Sequence, residues 1–221
     1  MLPIRARIVA AFLAALLPLA GCADFDNPAA AHGLSRSDLV AQLAGQLSSS
    51  ASRTYAATYQ LAGGRTATIS QAQDPPRSAY RYPGGEVLVT PAASTRCVRR
   101  TCTMTRAGRP RAALFADAQK AGLVVPAVVL DLLNSARLDR DGVVDQHDTT
   151  VAGHHATCLD LDTLRSGAVS TCITNEGVVG TFAGTLNRTR IDIALTDYAD
   201  RVRSDAFDLP AAATVLRRSP R

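Results

Sequence analysis

Residues 97 to 102 read Cys-Val-Arg-Arg-Thr-Cys, and three further cysteines stand at 22, 158 and 172. Thiols at such spacings offer three chemistries: a metal clasp, a redox couple or a covalent staple. A four-cysteine zinc site needs paired knuckles with about two to four residues between ligands, and the interval from Cys158 to Cys172 is far wider. No C-x-x-C couple occurs. In an oxidising compartment the four cysteines after Cys22 admit three pairings. Cys97 with Cys102 and Cys158 with Cys172 are the expected ones, because each pair brackets a hairpin-like stretch and closes a short loop. His147, His154 and His155, with Asp145 and Asp148, are the other group with ligand or acid/base character. Adjacent residues of a strand face opposite sides, so His154 and His155 cannot serve one spot without a bulge, and neither metal nor other cofactor is expected. The stretch from Asp139 resembles a calcium loop only superficially, with its glycine, Gly142, at the fourth position instead of the sixth. No nucleophile elbow, Walker loop or H-E-x-x-H helix is present. The expectation is a protein without catalytic residues, not an enzyme.

The compartment follows from the start of the chain, MLPIRARIVAAFLAALLPLAGC. Arg5 and Arg7 make a basic n-region, and Ile8 to Leu17 an apolar stretch too short to span a bilayer, the pattern of an export signal. Leu19-Ala20-Gly21-Cys22 resembles the bacterial lipobox at every position. That resemblance implies a diacylglyceryl group on the Cys22 sulfur and cleavage before it. Residues 1–21 are thus read as signal peptide, 22–34 as a lipidated flexible tether and 35–217 as the folded domain, with 218–221 a short tail. The mature protein is expected outside the cytoplasm, anchored to the cell membrane. Cleavage leaves roughly 200 residues, enough for one domain with a sizeable core. Losing Arg5 and Arg7 lowers the formal charge from +5 to +3, too mild to argue for nucleic acid. Among 24 basic residues only Lys120 is a lysine, a bias of GC-rich genomes.

Periodicity supplies the secondary structure that sets these residues in place. Ser37 is a plausible N-cap for a helix with Leu39, Val40, Leu43 and Leu47 on one face. From Thr54 the period changes to two, and short strands separated by Gly- and Pro-containing turns continue to the stapled hairpin, whose arms are TRCV and CTMTR. The middle stretch, 111–139, lacks alternation and reads as two helices, the second beginning near Pro126. Strands return from Val143 to Tyr198.

This order gives an α+β domain dominated by one antiparallel sheet. It resembles the LolA-like half-barrel, in which a curved antiparallel sheet wraps a hydrophobic cavity beneath an N-terminal helix and a helical lid. The ending DAFDLPAAATV is similar to that family's F-x-x-P-x-G-x-x-V, with Ala212 where glycine is usual. Actinobacterial lipoproteins of the LppX and LprG type share the lipobox, size and fold, and the resemblance implies a lipid or lipoprotein acyl chain as ligand. Leu123, Val125, Val128, Val129, Leu132 and Leu133 leave the insert with little polar side, so it is either a core helix or the lid of that cavity. Aliphatic walls without tryptophan suit acyl chains better than a flat aromatic ligand. Arg96, Arg99, Arg100 and Arg106, followed by Arg109 and Arg111, are either a solvated hairpin or a headgroup- and membrane-facing patch, since guanidinium binds phosphate through paired donors. The resulting expectation is a monomeric envelope lipoprotein that carries or presents a lipid. The alternative is a lipid-sensing or protein-interaction scaffold with an envelope protein as partner.

Overall fold

The computed structural model describes residues 35–106, 108, 112–139, 142–163 and 167–218. The chain divides into two units, residues 1–33 and 34–221. The expected signal segment, Cys22 and the expected 22–34 tether, like Arg109 and Arg111, lie outside the described residues.

Helix α1 spans Arg36–Ser49. Its cap is Ser35, not Ser37: the Ser35 hydroxyl accepts from the Asp38 N–H at 3.3 Å, whereas Ser37 is already inside the first turn. Val40, Leu43, Ala44 and Leu47 form its buried face. Strands β1 (Tyr55–Leu61), β2 (Thr66–Gln73), β3 (Pro76–Tyr82), β4 (Gly85–Val89), β5 (Ala93–Val98) and β6 (Thr101–Arg106) follow as a meander. A 3-10 turn, Ala112–Phe115, leads into the short α2 (Ala116–Lys120) and then α3 (Pro126–Leu138). The second meander is β7 (Val143–Val151), β8 (His154–Thr163), β9 (Gly167–Thr174), β10 (Val179–Leu186) and β11 (Thr189–Ala199). A 3-10 turn, Ser204–Phe207, precedes the last strand, β12 (Thr214–Arg218), which crosses the expected domain end at 217.

All twelve strands join one curved, unclosed sheet in the order β12-β6-β5-β4-β3-β2-β1-β11-β10-β9-β8-β7. Every pairing is antiparallel except β12 beside β6, which is parallel. The two meanders meet where β1 pairs with β11, and the register slips there between Thr58 and Tyr59. Such a bulge bends a strand and steepens its twist, which suits the middle of a curving sheet. Both edge strands carry charge, Asp145 and Asp148 on β7 and Arg217 and Arg218 on β12, which discourages edge-to-edge pairing.

The helices cover one face. Residues of α1 and α3 enter a single apolar core with Tyr59, Ile69, Ile173, Phe182 and Ile193 of the sheet. Each fully buried aliphatic or aromatic side chain contributes about 1.5–3 kcal/mol relative to exposure. At one end of the sheet the fit is close. The Gln46 side chain donates to the Thr174 carbonyl at 2.8 Å. Gly177 sits in the left-handed region with φ +81°, and a Cβ there would stand 2.4 Å from the Gln46 carbonyl oxygen. At the N-terminal end of α1, Arg36 donates to the carbonyls of Asp139 and Gly142, just past α3. On the opposite face the segment after β11 packs back on β3 and β4: Phe207 joins Ala79 and Ala206, with the Arg77 guanidinium 4.2 Å from its ring centre.

Candidate functional site

The face of the sheet toward the helices is where the insert's apolar residues converge. Leu123 and Val125, expected in a helix, lie in a three-residue non-helical run between α2 and α3, and both are fully buried. Pro126 explains the interruption: it sits at the first turn of α3, and the residue before a proline is driven to extended backbone, as Val125 is with φ −98° and ψ 151°. Val129 and Leu133 are on the buried face of α3, with Val128 and Leu132 half-buried against the same core. The six residues therefore meet in one interior, reached by two kinds of backbone.

Tyrosines bring oxygen into this interior. Alternation along β1 places Tyr55, Ala57 and Tyr59 on the helix-facing side, and β3 adds Tyr80 and Tyr82. Burial pushes the Tyr55, Tyr59 and Tyr80 phenols up, so all three are neutral hydrogen-bonding groups at physiological pH. Ser50 near Tyr55 and Ser78 near Tyr80 offset part of that rise. The Tyr59 and Tyr82 hydroxyls are buried with no hydrogen-bond partner. Tyr82 is pushed up to about 12, by burial and then by the nearby Asp117 carboxylate. It lies against Gly85, where a Cβ would come within 2.8 Å of its ring.

Among the described residues the arginines stand at both ends of the β5–β6 hairpin. Arg99 and Arg100 are the exposed two-residue turn between β5 and β6, with Arg99 at φ +55°. Arg96, exposed on the helix-facing side of β5, pairs with Asp117 of α2 at 3.4 Å. Arg106 is exposed at the far end of β6. The sequence spacing hid two neighbours, Arg217 and Arg218, which β12 brings alongside Met104 and Thr105.

Disulfides join Cys97 to Cys102 and Cys158 to Cys172, each between directly opposed residues of neighbouring strands. Both lie on the face away from the helices. On that face, over β7–β11, a depression of about 330 Å³ open to solvent is lined by Asp145, Asp160, Asp162, Ala168, Ala183 and Arg190 among others. His147 stands 3.5 Å from Asp160 at its edge. His154 instead pairs with Glu176 at 2.9 Å and sets its ring edge-on to Tyr198, at the sheet end near α1. Desolvation works to raise Glu176, but hydrogen bonds, the first from His154, outweigh it and hold the carboxyl below its usual range. The Asp148 carboxylate accepts from Thr157 at 2.9 Å. No three histidine, cysteine or acidic side chains converge as metal ligands among the described residues.

No family model matches this chain, and no curated protein matches it. Among solved structures it is similar to the crystal structure of an uncharacterized conserved protein from Thermus thermophilus, at 10% identity and a TM-score of 0.50, over 81% of this chain and 99% of the other. That likeness concerns the fold alone, a curved, mostly antiparallel sheet with a few helices.

Proposed function

We propose that this chain is a cell-envelope lipoprotein of the LolA-like kind. Its half-barrel binds a lipid or acyl chain between the sheet and the helices and carries or presents it, with no covalent step. The observation that carries the reading is the interior itself: one apolar core runs across the sheet from β4 to β8 and is capped by α1, the Leu123–Val125 run and α3. Aliphatic side chains dominate it, and hydrocarbon is the ligand such walls accept without loss. Entry requires the helices to part from the sheet. Arg99 and Arg100, on an exposed turn, offer paired donors to anionic headgroups as the lipid is exchanged at the membrane to which Cys22 tethers the chain.

The test is a titration of the full chain with a fluorescent fatty-acyl probe in a mild detergent. The expected result is saturable uptake at one probe per chain, displaced by unlabelled diacylglycerol. Uptake that only tracks detergent micelles would count against it. A second reading, a lipid-sensing or protein-binding scaffold, draws on one observation: Leu123, Val125, Val129 and Leu133 are all fully buried in close packing, while the open depression lies on the other face. A protein-binding scaffold shows no saturable uptake in the titration, whereas a lipid sensor takes up the probe as a carrier does.

A further inference from the structure

Tyr59 is wholly buried at the centre of the sheet, and its hydroxyl has no hydrogen-bond partner. A buried hydroxyl left unsatisfied is destabilising, and phenylalanine would fill the same space without that cost. Tyr55, also fully buried, is not orphaned in this way: its hydroxyl lies near Ser50. Tyr59 also stands where the register of β1 against β11 slips, the unpaired residue being Thr196 of β11. Ala67 stands across from Tyr59 on β2, and the register of β2 with β3 sets Tyr82, the second unpartnered hydroxyl, beyond Ala67 in the same row. The Tyr82 ring, however, leans over Gly85 of β4, so Tyr59 is the orphaned hydroxyl at the centre of the sheet.

We propose that the Tyr59 hydroxyl is a polar anchor inside the lipid site, donating its hydrogen bond to the acyl oxygen of the ligand, a carboxyl or ester carbonyl. The proposal rests on the reading of this interior as a lipid site and adds the ligand's chemical class: an acyl compound with oxygen at the depth of β1, not a bare hydrocarbon. The hydroxyl stays protonated because burial disfavours the phenolate. Its hydrogen therefore remains available, and a carbonyl oxygen accepts it without any charge entering the core.

The experiment is native mass spectrometry of the full mature chain, released from mild detergent after incubation with equimolar methyl palmitate and hexadecane, and in a parallel arm with palmitic acid and hexadecane. Wild type should retain ester and acid in preference to alkane. Tyr59→Phe should cut that preference about fivefold, the loss of one ordinary hydrogen bond, and should raise the Tm of the empty protein by about 2–4 °C. Tyr55→Phe, whose hydroxyl lies near Ser50 and is not orphaned, should leave the preference unchanged and should not raise Tm. The two arms separate an ester carbonyl from a free carboxyl. An unchanged preference in Tyr59→Phe, or a lowered Tm, would overturn the anchor while leaving the lipid site standing. Wild type that retains none of the three compounds would overturn the lipid site itself.

Discussion

Ala212 holds φ +58° on an exposed turn just before β12, in the left-handed region that L side chains other than Asn and Asp seldom enter. It is the position at which the LolA-like ending that this sequence resembles has glycine. Replacing Ala212 by Gly should relieve the Cβ clash and stabilise the fold by up to about 1 kcal/mol, a rise of about 2–4 °C in a melting curve. A fall in Tm would mean that the lost chain stiffness outweighs the relieved strain. Single residues were legible in the sequence where one property decides them. The cysteines are such a case: an odd count, a segment that reads as an export signal and two short intervals suffice to suggest the pairs that the structure joins. Ser35 and Ser37 are not, since both precede the same apolar run and only backbone geometry selects the cap. Tyr59 was equally hidden: alternation tells that it faces inward, but the lack of a hydrogen-bond partner depends on every element packed around it.

The two stapled hairpins differ in the loop each disulfide closes, with sequence separations of 5 and 14. Loop-closure entropy assigns about 2 kcal/mol to the shorter and about 3 kcal/mol to the longer. The double change Cys158→Ala with Cys172→Ala should therefore lower stability by about 1 kcal/mol more than Cys97→Ala with Cys102→Ala, measured by urea denaturation under non-reducing conditions. An equal or reversed ranking would point to packing of the buried sulfurs as the larger effect. The meanders and α3 were legible because periods of two and near four alternate with Gly and Pro punctuation. The run Leu123–Val125 was not, because a continuous apolar stretch has no period to separate a buried helix from a buried extended segment. Strand β12 was missed for a different reason. Thr214–Arg218 is exposed along its whole length, so no burial pattern marks it, and its partner β6 is distant in sequence. That same pairing sets Arg217 and Arg218 beside the end of β6 that carries Arg106, while Arg96 on β5 pairs with Asp117.

Across the full sheet, the two faces carry different chemistry. The inner face holds aliphatic side chains and tyrosine hydroxyls under two helices; the outer face holds both disulfides, the docked Phe207 segment and an open acidic depression. The α+β class and the large antiparallel sheet could be read from element order, because a sheet with one apolar face requires a covering layer. How tightly that layer packs is a property of three-dimensional volume that no one-dimensional pattern encodes. Whether an anchored lipoprotein holds a lipid between its sheet and helices is decided by native mass spectrometry of the full chain, extracted gently from its own membranes. The expected species is a mature chain beginning at Cys22 with a covalent diacylglyceryl group, together with a second, non-covalent acyl-bearing molecule at one per chain. A chain with an unmodified Cys22, or one that carries no non-covalent lipid at any extraction strength, would contradict it.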